Sequence, residues 1–179
     1  MASSNDKQAL FFQKADIFRD TDMQQFTGLP WDIMISNPPY VSRKVWNYGR
    51  GQMGYSARKY EPRLALVPED DMPPAPAGLL HEDIFYARLL DLAQTLRPKI
   101  LLMEVGDKNQ ARRIVQYCSS HTFCTKAQVT VWRDWPDVAP GSDNTTEESD
   151  FTMYTNDGKR ITVPVKGSGN IRSIVIRIL

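Results

Sequence analysis

Asn37-Pro38-Pro39-Tyr40 is the run whose residue types and order point most directly to chemistry. Two prolines in succession stiffen the backbone and remove two N–H groups, so the carbonyls of the turn have no competing partners inside it. A side-chain carboxamide followed by a free backbone carbonyl then makes a pair of acceptors on a rigid frame. Such a pair suits a planar NH2 group, which has two hydrogens to place. Tyr40 supplies an aromatic wall against the plane that carries the nitrogen. The bland alternative is that Asn-Pro simply turns the chain after a strand.

Positioning such a pair requires a strand before it and further strands beside it. Trp31 to Ser36 reads as an apolar strand with Ile at alternate positions, stopped by Pro38 and Pro39. Ala9 to Phe18 reads as an earlier buried strand that runs into a loop at Asp16. Ile84 to Leu96 carries Phe85, Leu89, Leu92, Ala93 and Leu96 at helical spacing, with Asp83 as N-cap and Pro98 as terminator. Ile100 to Gly106 is a third buried strand, and a second helix follows with Ala111, Ile114, Val115 and Cys118 on one face. Gln128 to Trp132 and Ile171 to Ile178 read as two last strands with no helical pattern between them. The order implies an α/β parallel sheet that ends in an antiparallel hairpin. Val41 to Pro76 reads as one long irregular loop, with a flexible insertion at Met72 to Ala77. Pro136 to Asp150 is polar and acidic and reads as disordered, the disordered insertion as a whole being expected over about 137–160.

Composition narrows the classes of function. With 179 residues and 41% apolar side chains, the chain has the material for one domain with a core, not for two. Net charge is +1, so a nucleic-acid or membrane partner would have to meet a local patch rather than the bulk charge. Apolar runs such as Ile100 to Met103 fall far short of the roughly 18 residues a membrane span needs. Cys118 and Cys124, with His81 and His121, form neither zinc spacing nor a disulfide framework, which points to a reducing compartment and no metal.

An Asn-Pro-Pro-Tyr turn after an apolar strand resembles motif IV of the S-adenosylmethionine-dependent amino-methyltransferases, which methylate either exocyclic adenine nitrogen or glutamine side-chain nitrogen. Four residues do not separate the two substrates. Tyr60-Glu61-Pro62-Arg63-Leu64-Ala65-Leu66, Gly78-Leu79, Tyr86, Leu102-Met103-Glu104-Val105-Gly106 with Gln110, and Gly169-Asn170-Ile171-Arg172-Ser173-Ile174-Val175 follow in that order. As a set they are similar to the HemK/PrmC-type protein-(glutamine-N5) methyltransferases, which modify the Gln of the Gly-Gly-Gln loop of peptide-chain release factors. The likeness covers most of Leu10 to Leu179, with insertions near 70–77 and 137–160. Trp132-Arg133-Asp134-Trp135-Pro136 resembles a fungal or mitochondrial branch, which places the protein in mitochondria, the cytoplasm being the alternative.

The resemblance implies a Rossmann-like class I fold and S-adenosylmethionine as cofactor, with a release factor as protein substrate. It also implies roles. Asp16 would hold the adenine amino group of the cofactor and Ile17 would line the adenine pocket; Asn37 would lie at the same cofactor site. Asn37 and the Pro38 carbonyl would each take one hydrogen of the substrate carboxamide, with Pro39 and Tyr40 packing around it. The family's glycine-rich cofactor loop and its following acidic residue have no counterpart here, since Gly167-Ser168-Gly169 lies near the other end. The chain thus reads as a partial methyltransferase domain over 1–179 that lacks the family's first two strands, binds the cofactor poorly or not at all alone, and is therefore expected to be inactive by itself.

Other readings stand beside these. Asp16 could merely cap a backbone amide, and Glu104 and Glu61 could shape neighbouring loops. Arg43, Lys44, Arg50, Arg58, Lys59 and Arg63, interleaved with Trp46, Tyr48, Tyr55 and Tyr60, could grip a release factor, a ribosome or RNA, or form a solvated loop. Cys118 reads as core and the two histidines as surface. The rival functions are an adenine-N6 nucleic-acid methyltransferase and a non-catalytic remnant that binds through an unpaired sheet edge.

Overall fold

The computed structural model describes residues 10–49, 53–139, 149–154 and 158–179. Six strands form one sheet: β1 (Ile33–Ser36), β2 (Ile100–Glu104), β3 (Ala127–Trp135), β4 (Asp150–Tyr154), β5 (Arg160–Lys166) and β6 (Ser168–Ile178). Their order across the sheet is β1-β2-β6-β3-β5-β4. β1 and β2 run parallel, β6 runs antiparallel to both β2 and β3, and β3 pairs parallel with β5. This is a mixed α/β architecture, compatible with a Rossmann-like methyltransferase fold.

Helix α5 (Ile84–Leu96) connects the parallel pair β1 and β2, as a parallel connection requires. Its bounds match the sequence pattern, and it stops where Arg97 turns left-handed (φ 54°) ahead of Pro98. Helix α6 (Lys108–Cys118) starts at Asp107, whose side chain accepts from the Gln110 N–H. Ala111, Ile114, Val115 and Cys118 face inward, as their spacing predicts. They meet Leu101, Met103, Val131, Ile174 and Ile176 in one hydrophobic cluster. β6 lies between two strands, so Ile174, Val175 and Ile176 are all buried in succession rather than alternately.

Three expectations need correction, and one helix had no expectation at all. Leu10, Phe11 and Phe12 form no strand and are 80%, 85% and 90% exposed. No described strand lies beside them, and an apolar run without a ladder partner has nothing to pair with. Ala9, where that strand was expected to begin, lies outside the described residues. The segment 41–76 contains three short helices: α2 (Arg43–Tyr48), α3 (Tyr55–Tyr60) and α4 (Arg63–Leu66). Their starting signals are local: the Ser42 hydroxyl caps Val45 N–H, and Pro62 precedes α4 with its φ already set. The four-residue helix α1 (Asp20–Met23) was not anticipated either. Finally, the stretch from 150 onward is not disordered, because β4 and β5 pair antiparallel and extend the sheet. Ile161, Val163 and Val165 alternate with exposed neighbours, and Phe151 is fully buried. Residues 140–148 of the expected insertion lie outside the described residues.

The β5–β6 turn depends on Gly167, whose φ is +88° and whose added Cβ would lie 2.3 Å from the Trp135 carbonyl oxygen. Gly167→Ala is expected to destabilise the fold by about 1–3 kcal/mol, through strain and a displaced backbone. Urea unfolding of the variant beside the parent chain measures this.

Candidate functional site

The parallel pairing of β1 with β2 sets Ser36 opposite Met103, so both strands end at the same edge of the sheet. Open α/β sheets place ligands at that carboxyl edge. Asn37 to Tyr40 leaves β1 there, Gly106 follows β2, and Arg172 comes from antiparallel β6, where Ser173 faces Glu104. Between them lies a cavity of about 450 Å³ whose walls include Asn37, Pro38, Tyr40, Glu61, Gly106 and Arg172. Asn37 is exposed, and its carboxamide bonds to no described residue. Pro38 is buried and Pro39 half-buried beside the exposed Asn37. The Pro38 carbonyl receives no hydrogen bond from a described residue.

The turn rests on a buried polar network. Gln110 Nε2 donates to the Tyr40 carbonyl (3.3 Å) and to Asp83 Oδ1 (2.9 Å), while Gln110 Oε1 accepts from Gly106 N–H (2.8 Å). Asp83 is completely buried and accepts from both Nε (2.7 Å) and a terminal amine (3.0 Å) of Arg113. It also accepts from Leu80 N–H at 2.9 Å. Its carboxylate is thereby fully satisfied, the condition on which a buried charge is tolerated. Asp83 does stand at the N-cap position of α5, yet its side chain caps nothing there. Tyr40 O–H donates to Glu104 Oε1 at 2.9 Å, and Tyr86 O–H donates to the Glu104 carbonyl at 2.7 Å. Glu104 thus holds the aromatic wall in place. Gly106 makes that approach possible, since a Cβ there would come within 3.0 Å of the Tyr40 ring.

Asp16 and Ile17 do not line this cavity. Asp16 is exposed, and its Oδ1 accepts from Phe18 N–H, the capping role open to it from the sequence. Ile17 is half-buried against the core, and its carbonyl accepts from Arg88 Nε at 2.6 Å. Much of the basic segment is engaged within the chain. Arg43 and Arg63 both reach Asp70, while Arg58 bonds the Val45 and Trp46 carbonyls and stacks on the Trp46 ring. Lys59 lies against Tyr55 and Tyr60. Arg50 is outside the described residues. His121 is less superficial than expected, its side chain 9% exposed and 3.2 Å from Asp91. Cys118 is buried, and both cysteines are free thiols. Among the described residues no helix is long and apolar enough to cross a membrane, and no cluster of three metal-ligating side chains occurs. The Asp83–Arg113 pair escapes sequence reasoning, because its partners are 30 residues apart and neither belongs to a motif.

The Asn-Pro-Pro-Tyr turn therefore lies at the carboxyl edge of an α/β sheet, and two stretches of the chain are similar to curated methyltransferases. The chain is 45% identical over 40 residues to the release factor glutamine methyltransferase of Chlorobaculum tepidum, covering 22% of this chain and 12% of that protein. It is 33% identical over 67 residues to the release factor glutamine methyltransferase of Enterococcus faecalis, covering 37% of this chain and 23% of that protein. The matched stretches therefore span less than a quarter of either relative. No family model and no solved structure matches the chain.

Asp83→Ala would leave the Arg113 guanidinium and Gln110 without their acceptor. A loss of about 3–5 kcal/mol is expected in chemical denaturation. Tyr40 offers a pH test. Burial first, and Glu104 second, push its phenol from 10.0 up to about 12. The folded chain therefore keeps this proton where the unfolded chain has lost it, so the stabilisation is complete below pH 10 and drains away between pH 10 and about 12. Stability measured across that window should fall less steeply in Tyr40→Phe than in the parent.

Proposed function

We propose that this chain is the amide-holding part of a protein-(glutamine-N5) methyltransferase, acting with S-adenosylmethionine on the Gly-Gly-Gln glutamine of a peptide-chain release factor in mitochondria. The observation that carries the proposal is the Asn37 carboxamide, unpartnered and exposed on the wall of a cavity whose floor is fixed by buried hydrogen bonds. The similarity to two release factor glutamine methyltransferases supports glutamine rather than adenine as the methyl acceptor.

Of the residues assigned to the cofactor, Asp16 and Ile17 lie outside the cavity that Asn37 lines, so this chain offers at most a partial contact, at the adenine end. Asp16 Oδ1 is taken by Phe18 N–H, which leaves Oδ2 for an exocyclic amine, and Ile17 follows it as an apolar contact. Gly167 and Gly169 are packed against Trp135 and Asp134 in and beside the β5–β6 turn. When bound, S-adenosylmethionine supplies an electrophilic methyl group on a sulfonium.

The chain's own task is to make an amide nitrogen a usable nucleophile. That nitrogen is delocalised into its carbonyl, and its lone pair becomes available only as conjugation is lost. Asn37 Oδ1 and the Pro38 carbonyl accept its two hydrogens and fix their directions, which favours the geometry in which the lone pair points out of the amide plane. These bonds strengthen as the nitrogen gains positive character, so they stabilise the transition state more than the ground state. Tyr40 limits rotation of the amide plane, and complete in-line placement of the reacting atoms is worth up to about 7–11 kcal/mol in all. No strong base is needed before attack, because the nitrogen acidifies as it gains the methyl group and then gives up one of its two protons to water at the open mouth of the cavity.

A transfer assay with labelled donor tests the proposal. The expected affinity of the isolated chain for S-adenosylmethionine is weaker than micromolar, so calorimetry sets the donor concentration, in the millimolar range. At ordinary donor concentrations the isolated chain is expected to be inactive; at that forcing concentration slow labelling is expected on a Gly-Gly-Gln release factor and not on adenine-containing oligonucleotides. Asn37→Ala should cut turnover by about 10²–10³, the loss seen when one preorganised polar contact to a reacting group is removed. Label on the oligonucleotides, or full turnover in the variant, would refute it.

A further inference from the structure

Two charged side chains in the cavity have no role in holding a carboxamide. Arg172 Nε is locked on Asp134 Oδ1 at 2.8 Å, and the pairing holds the Asp134 carboxyl below its ordinary range. Asp134 is itself fixed by Asn170 N–H at 2.9 Å. The two terminal amines of Arg172 bond to no described residue. Glu61 lines the same cavity, is exposed, and has no described partner for its carboxylate. An oriented donor fork and an acceptor therefore share one cavity with Asn37 without neutralising each other.

A peptide group needs both. Its carbonyl oxygen takes hydrogens from a guanidinium, and its N–H gives one to a carboxylate. A phosphodiester offers acceptors only and would be repelled by Glu61. We infer that Arg172 and Glu61 form a main-chain subsite for a polypeptide substrate, Arg172 donating to a backbone carbonyl and Glu61 accepting a backbone N–H beside the methyl-accepting glutamine. The inference rests on the glutamine reading of the cavity and adds the substrate's backbone to it. Selectivity then comes from the peptide flanking the glutamine as well as from its side chain. Small residues on either side, such as glycine, let that backbone come close.

Ligand length separates this role from a structural one. Binding to the 179-residue chain is followed by NMR chemical-shift titration with two probes, N-acetyl-Gly-Gly-Gln-Gly-amide and N-acetyl-glutamine dimethylamide. Arg172→Gln and Glu61→Gln are expected to weaken the longer probe about tenfold each and the shorter one less than twofold. Asn37→Ala is expected to weaken both. An equal loss for both probes in the Arg172 and Glu61 variants means that these residues merely shape the cavity, and overturns the inference. An unchanged affinity for the longer probe also overturns it. Length-dependent loss at Arg172 and Glu61 with no effect of Asn37→Ala would instead refute the glutamine reading and leave a peptide-binding cleft. A folded two-dimensional spectrum of each variant is the entry condition, and Arg172→Lys, which keeps the charge but not the fork, should recover little of the longer probe's affinity.

Discussion

A buried carboxylate beneath a proline turn governs the rest of this molecule. Asp83 has lost all contact with water, and a lone charge in that position would be prohibitive. Its acceptor sites are instead filled by the Arg113 fork, Gln110 and Leu80 N–H. Gln110, oriented by that carboxylate, is left with a defined donor for the Tyr40 carbonyl and a defined acceptor for Gly106 N–H. The ends of β1 and β2 are thus tied to the starts of α5 and α6 by one set of bonds. The positions of Asn37 and Pro38 inherit their precision from it.

The exposed parts of the site follow from this arrangement. The prolines give the turn stiffness but no attachment, since neither ring offers a hydrogen-bond donor. Attachment comes from Tyr40, held at its carbonyl by Gln110 and at its hydroxyl by Glu104. Asn37 therefore needs no bond of its own, and its amide stays available at the opening. On the other wall Arg172 is treated the same way, fixed through Nε by Asp134 and open at its terminal amines. Both groups are oriented by contacts that do not consume the atoms facing the cavity.

The opposite side of β1 has a different character. β1 is an outer strand of the described sheet, and Ile33 and Ile35 are 54% and 71% exposed. The same alternation that identifies a strand in the sequence therefore leaves its larger apolar side chains in solvent. Phe26, Trp31, Leu96 and Pro98 border that surface. Hydrophobic spacing predicts that a strand forms; whether both its faces are covered depends on neighbours it does not encode.

Local signals in the sequence determined α5 with its Pro98 stop, the buried face of α6, strands β1, β2, β3 and β6 to within a few residues, and the proline turn that ends β1. Those elements are specified by period and by prolines, which act over a few residues. The alternation at Ile161, Val163 and Val165 was equally legible as a strand, but the polar run before it hid the signal. Tertiary structure alone decided that Leu10 to Phe12 would not be a strand, because a ladder needs a neighbour. It also turned Asp83 from a helix cap into a buried anchor, and brought Glu61 and Arg172 into the cavity of Asn37 from far along the chain. Charge pairing and cavity walls depend on distance in space, and spacing along a chain carries no record of that.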